Sequence, residues 1–275
     1  MSDTMTSNPP QRPWRPAPIL SASIALQVAA VAAIAIRPHS WSWALGAMFA
    51  DHLLLTGIGL WPRSTLLGPN WTRLPDEAAA RDAVAITIDD GPDPDITPRV
   101  LDLLEQHQVK ATFFCVGERV LRYPELAREI VRRGHVIENH SQRHRHHFSV
   151  MGPRGLAQEI GQAQHSIAGV IGVAPRFFRA PAGLRNPLLE PVLTRLGLRL
   201  ASWTRRGFDT ASHDAGAVLD RLTRNLGPGD ILLLHDGHAG RTRAGEPIVF
   251  EVLPKLLAAV AAANLRPITL REALT

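Results

Sequence analysis

Ala83-Val84-Ala85-Ile86-Thr87-Ile88-Asp89-Asp90-Gly91-Pro92-Asp93 opens as an uncharged, largely apolar run and closes on two adjacent carboxylates before a Gly-Pro turn. A short continuous apolar run bounded by turn residues reads as a strand buried on both faces, as in parallel sheets. Adjacent carboxylates at the end of such a strand repel each other and lose hydration unless a cation or an arginine neutralises them. A metal ion is the economical partner, although Asp-Gly-Pro by itself also fits an ordinary Asp-stabilised turn.

Downstream, short apolar runs recur at 111–116, 135–137, 176–179, 198–203, 231–234 and 267–270. Amphipathic segments alternate with them near 97–107, 124–133, 153–171, 187–196, 215–226 and 250–263. This alternation predicts an α/β fold of βα units around a parallel sheet, over residues 81–275.

Upstream, residues 62–80, with Pro62, Gly68, Pro69 and Pro75, read as a linker. Residues 18–36 carry no charge, and these 19 positions reach the ~30 Å of a bilayer core. A second apolar run, 44–61, holds Asp51 and His52 near its middle, and a central Asp is among the costliest residues to insert. One or two membrane helices are therefore expected over 18–61, a buried hairpin packed on the α/β domain being the alternative. The apolar stretch exceeds a signal-peptide core and shows no clear small-residue cleavage site. Trp41, Trp43, Trp61 and Trp71 are expected at the membrane interfaces. Residues 1–17 are polar and proline-rich and read as a disordered tail.

This predicts the cell inner membrane, with the side of the α/β domain open. If both segments cross, Arg12, Arg15, Arg63 and Arg73 outside the pair against Arg37 between them favour cytoplasmic termini; a single span would place the domain outside.

The net charge of +5, from 30 Lys and Arg against 25 Asp and Glu in 275 residues, is spread over scattered arginines, with Lys110 and Lys255 the only lysines. Without a basic stripe or interleaved aromatics, no nucleic-acid partner is expected. Cys115, the single cysteine, lies in an apolar run and reads as a buried strand residue.

In a βα barrel the C-terminal strand ends converge on one face. Asp89 and Asp90 end the first strand, His140 follows the third, Arg179 ends the fourth and His235 the sixth. His140 and His144, spaced i and i+4, would share one face of a helical turn and with Asp90 offer an Asp-His-His metal set with open positions. A histidine-rich surface loop is the alternative, and His135, His146 and His147 read as structural or solvated. Arg179 could grip a carboxylate through both its nitrogens, with Asp89 the candidate. His235 suits either structure or a general acid.

Four ordered motifs carry a resemblance: TIDDGPD (87–93), ENHSQRH (138–144), FRAPAG (178–183) and LLLHDG (232–237). They resemble the TFDDGP, NHTxxH and FRPPYG patterns and the closing His motif of the polysaccharide deacetylase family, the NodB-homology or carbohydrate esterase family 4 domain. The resemblance implies a distorted (β/α) barrel with fewer than eight strands. It implies Asp89 as catalytic base, Asp90, His140 and His144 as metal ligands, Arg179 as tether of the base and His235 as acid. Zinc is the expected ion, with cobalt or another divalent ion as alternatives.

The chain departs from the family at Ala182, where a Tyr is usual and only the backbone N–H could assist an oxyanion. It departs again at Arg206-Gly207-Phe208-Asp209-Thr210, in place of Asp-x-x-Asp-Trp, keeping Asp209 to orient either Arg179 or His235. These departures argue against a long polymer groove and leave the metal chemistry untouched. The implied function is membrane-anchored removal of N-acetyl groups from an amino-sugar polysaccharide or oligosaccharide. The alternatives are deacetylation or deformylation of a lipid-linked sugar, or a catalytically silent carbohydrate-binding module.

Overall fold

Two apolar 19-residue helices, the first uncharged and the second carrying Asp51, open the structure, a computed structural model that describes residues 13–275. Most of the tail expected over 1–17 lies outside the described residues, and 13–17 carry no regular structure. α1 (Pro18–Ile36) and α2 (Trp41–Gly59) pair as an antiparallel hairpin. Asp51 of α2 accepts hydrogen bonds from Ser23 Oγ at 2.6 Å and Gln27 Nε2 at 2.9 Å of α1, so the costly carboxylate has partners inside the hairpin. Only the hairpin base packs on the rest of the chain, through Leu20, Ile58 and Leu67. Val28, Val31, Trp43, Phe49 and Leu53 are exposed, so the pair is not a core hairpin of the catalytic domain.

By length and composition α1 qualifies as a membrane span among the described helices. Trp41, Trp43 and Trp61 stand exposed at the hairpin ends, but Trp71 does not belong with them. It packs edge-on against Phe177, centroids 5.0 Å apart, and bridges Ala201 in parallel fashion. Trp71 accordingly joins the barrel wall, and the stretch expected as a linker is folded in with it: Leu67, Leu74 and Ala78 are buried, the last on α3 (Asp76–Ala79).

The strands are β1 (Ala83–Asp89), β2 (Thr112–Cys115), β3 (Val136–Asn139), β4 (Phe177–Phe178), β5 (Arg199–Leu200), β6 (Arg205–Arg206), β7 (Ile231–His235) and β8 (Arg266–Pro267). Their order is β5-β4-β3-β2-β1-β7-β6, every pairing parallel, with β8 joined only to Ala83 and Val84 at the start of β1. This is the expected distorted barrel, with eight strands among the described residues rather than fewer. β6 is unexpected, being two arginines without an apolar run. Helices α4 (Thr97–Gln106), α5 (Gly117–Arg122), α6 (Pro124–Arg132), α7 (Pro153–Ile171), α8 (Leu189–Arg195), α9 (Ala215–Thr223) and α10 (Ile248–Ala262) connect and cover the strands.

Alternation along β1 divides the core. Val84, Ile86 and Ile88 pack outward with Leu101, Leu104, Val252 and Leu256 of the covering helices. Ala83 and Ala85 face the barrel interior with Phe114, Phe177 and Leu233, where small side chains leave room for the large ones. Thr87 and Asp89 continue that inward row, which is how the end of β1 delivers a carboxylate to the mouth. Cys115 is fully buried in the outer core, as read from its surroundings in sequence.

Candidate active site

Asp89 is paired in register with His235 of β7, so base and acid candidates leave adjacent parallel strands side by side. Two glycines let the following loops interlock. A Cβ on Gly91 would meet both Asp236 carboxylate oxygens at 2.5 Å, and one on Gly237 would meet the Asp90 carbonyl at 2.4 Å. Asp90 itself has φ of 76°, which swings its side chain away from the strand direction.

Arg179 is fully buried and holds Asp89 through one nitrogen, Nη1 to Oδ1 at 2.6 Å, rather than through two. Three further donors go to Thr87 Oγ1 at 2.9 Å and the carbonyls of Ala201 at 3.2 Å and Ser202 at 2.6 Å. The guanidinium is thereby immobilised, and with it the Asp89 carboxylate.

His140 and His144 do converge, but not on a helical turn. Residues 140–147 form a loop with positive φ at Ser141 and His144. The Asn139 side chain accepts from Ser141 N, and the Ser141 hydroxyl from His144 N, so local side-chain bonds replace a helical ladder. His146 lines the cleft mouth instead of being merely solvated.

The Nε2 atoms of His140 and His144 lie 3.1 and 3.2 Å from Asp90 Oδ1. That oxygen is buried with no hydrogen-bond partner, and one donor atom from each of the three residues lies within 4.8 Å of the others. His140 Nδ1 donates to the Arg179 carbonyl at 2.9 Å, leaving Nε2 to present its lone pair. One carboxylate oxygen and two imidazole nitrogens around an orphaned buried oxygen fit a divalent cation of the zinc type.

The electrostatics agree for Asp90 and His144 and differ for His140: burial works against its imidazolium, yet the Asp89 and Asp90 carboxylates outweigh it and hold the ring above its usual range, so a metal ion there would have to displace a proton from it. Burial pushes the Asp90 carboxyl up, but the imidazoles of His140, His238 and His235 outweigh it and hold the group well below the usual range. Burial, with the neighbouring His140 charge, takes His144 down to about 4, so it is neutral as a ligand must be. His238, whose Nδ1 is 3.5 Å from Asp90 Oδ2, had no signal in sequence beyond following the His-Asp-Gly turn.

His235 is held from behind by Asp209, not shared with Arg179: its Nδ1 lies 2.9 Å from Asp209 Oδ1, and its main-chain N–H donates to Asp209 Oδ2 at 2.8 Å. Burial works against the imidazolium, yet Asp209 beside it and the Asp90 and Asp89 charges raise the ring to about 9. All these groups meet at a cleft of about 330 Å³ lined by Asp89, Asp90, His140, His144, Ala182 and His235. Trp203 and Arg206 also line it and had escaped the sequence reading as site residues.

The sequence model of the polysaccharide deacetylase family matches residues 76–201. The chain is 35% identical over 175 residues to a peptidoglycan-N-acetylglucosamine deacetylase of Bacillus cereus, covering 63% of this chain and 81% of the relative. It is 33% identical to a chitooligosaccharide deacetylase of Sinorhizobium fredii, covering 60% and 76%. Among solved structures, a peptidoglycan N-acetylglucosamine deacetylase in complex with 4-naphthalen-1-yl-N-oxidanyl-benzamide superposes with a TM-score of 0.67 at 28% identity, over 74% of this chain and 92% of that one. A carbohydrate esterase family 4 pseudoenzyme from Bacillus anthracis shares the fold at a TM-score of 0.63 and 22% identity, over 70% and 66%.

Proposed function

The chain belongs to the polysaccharide deacetylase family, and on that premise we propose that it is a metal-dependent hydrolase that removes N-acetyl groups from an amino-sugar carbohydrate. One observation carries the catalytic reading: Asp89 and His235 flank the Asp90-His140-His144 set, each immobilised by its own buried partner, Arg179 and Asp209. A silent binding module has no use for a tethered base facing a charged acid.

Asp90, His140 and His144 would hold the ion, with zinc best suited and cobalt or another divalent ion as alternatives; when bound, it polarises the acyl oxygen and acidifies water. Asp89 is the base. Its Oδ1 is occupied by Arg179, which leaves Oδ2 to take a proton from water. His235, charged at neutral pH because Asp209 stands behind it, hands its proton to the departing amine. Ala182, on the cleft wall with φ of 54°, is the residue whose main chain is assigned to the acyl oxygen.

The α1–α2 hairpin is the proposed anchor in the inner membrane: its apolar outer faces are exposed, and its one carboxylate is already hydrogen-bonded. The test is acetate release from a chitooligosaccharide panel, with metal content measured on the same protein. Bound metal with no release from any acylated amino sugar would turn the reading toward a carbohydrate-binding module.

A further inference from the structure

The hairpin base and the cleft share a wall. The Gly59 carbonyl, at the end of α2, accepts the Arg185 main-chain N–H at 3.1 Å. Three residues on, Pro62 lies so close to Gly183 that a Cβ there would come within 2.7 Å of it and within 2.5 Å of Trp203. Gly183 and Trp203 line the cleft, so one catalytic wall rests on the residues that join hairpin to domain. With the hairpin in a bilayer, only Leu60 and Trp61, both exposed, separate the end of α2 from Pro62. The cleft then lies at the level of the lipid headgroups.

Arg206 stands at that same wall. Its guanidinium is 5.3 Å from the Trp203 ring and 5.0 Å from the Phe208 ring. Its Nε is buried without a partner, and among the described residues it makes no hydrogen bond or ion pair. Arg206 is half-buried, whereas the fully buried arginine of the site, Arg179, is committed to Asp89. Arg63, whose Nη1 donates to the Thr204 carbonyl at 3.0 Å, adds an exposed cation beside the strand that carries Arg206. A guanidinium fixed between two rings keeps its donors for an anion, and its planar fork matches phosphoryl oxygens. An uncharged sugar polymer could accept hydrogen bonds from it but brings no charge to match it, and the charge-assisted bond is the stronger one.

We infer that the substrate is an N-acetylated amino sugar carried on a membrane lipid through phosphate, with Arg206 engaging the phosphate while the sugar enters the cleft. This rests on the deacetylase reading above.

The full-length protein in phosphatidylcholine vesicles is given three probes: N-acetylglucosamine on a polyprenyl phosphate in the same vesicles, soluble N-acetylglucosamine 1-phosphate, and chitotetraose. Acetate release should be about tenfold or more higher in kcat/KM on the lipid-linked sugar. Arg206→Gln should raise KM for that substrate ~10–100-fold with kcat little changed, the scale of one charge-assisted contact, and Arg206→Lys should recover part of it. Equal or better turnover of chitotetraose would overturn the inference while leaving the deacetylase standing. Equal turnover of the soluble 1-phosphate would overturn its lipid part, and so would an Arg206→Gln variant impaired alike on all three probes. Release from none of them would remove the deacetylase reading itself.

Discussion

Asp209 grips His235 twice, through the ring nitrogen at 2.9 Å and through the main-chain N–H at 2.8 Å. The first contact sets the charge of the imidazole and the second sets its position. Burial would neutralise the ring, and Asp209 beside it raises it to about 9. A group so raised is protonated below about 9 and loses its proton above, so the acid is present at neutral pH and activity fails on the alkaline side. Asp209→Asn keeps the shape and removes the charge. The alkaline limb of kcat/KM should then move down by on the order of 1–3 pH units, the reach of one adjacent charge. An unmoved limb in a pH–rate profile would take His235 out of the acid role.

Asp89 and Asp90 are neighbours with separate tasks, and metal analysis separates them. Asp89→Asn should lower kcat about 10²–10⁴-fold, the usual contribution of a positioned acid or base, with zinc still bound. His144→Ala removes one of the three ligand atoms around the orphaned Asp90 oxygen and should lose zinc and activity together. Stoichiometric zinc in His144→Ala would contradict the ligand set.

Glu138 is wholly buried at the end of β3, and Arg271, near the C-terminus, reaches it with Nε to Oε1 at 2.6 Å. Burial raises the carboxyl, and the Arg271 charge together with the Phe177 and Arg176 main-chain N–H groups opposes that. Arg271→Ala should destabilise the fold by about 3–5 kcal/mol, the range for stranding one member of a buried pair. Adding Glu138→Gln should return part of the loss. Chemical denaturation measures both, and a loss within error of zero for the single variant would show that the pair is not holding the C-terminal segment to β3.

Asp51 has its partners on the other helix, so a bilayer should tolerate α2 only together with α1. Ser23→Ala combined with Gln27→Leu should reduce the membrane-inserted fraction, and further addition of Asp51→Leu should restore it. Reporters placed at His39 and after Thr275 should lie on opposite sides of the membrane. Both on the same side would mean that the helices do not cross as a pair.

The strand ends were legible because a parallel sheet buries both faces, so each strand is a short apolar run with the chemistry confined to its last residues. β6 escaped because Arg205 and Arg206 carry no such run. They are held as a strand by register with Leu232 and Leu233 of β7, a contact between distant parts of the chain. The linker expected over 62–80 failed for a related reason. Its prolines and glycines are what a surface connection would have, yet Trp71 pairs with Ala201, and that partner is 130 positions away in a different unit.

Residue types and their order along the chain determined the βα alternation, the carboxylates and imidazoles at the strand ends, and the apolar hairpin, because each is a local property of side-chain polarity and period. The assignment of Asp209 to His235, the single-nitrogen grip of Arg179, the looped rather than helical path between His140 and His144, and the docking of Pro62 against Gly183 were decided only in three dimensions. Each depends on which atoms the folded barrel brings into contact, and residues far apart in sequence are free of that constraint until the core closes around them.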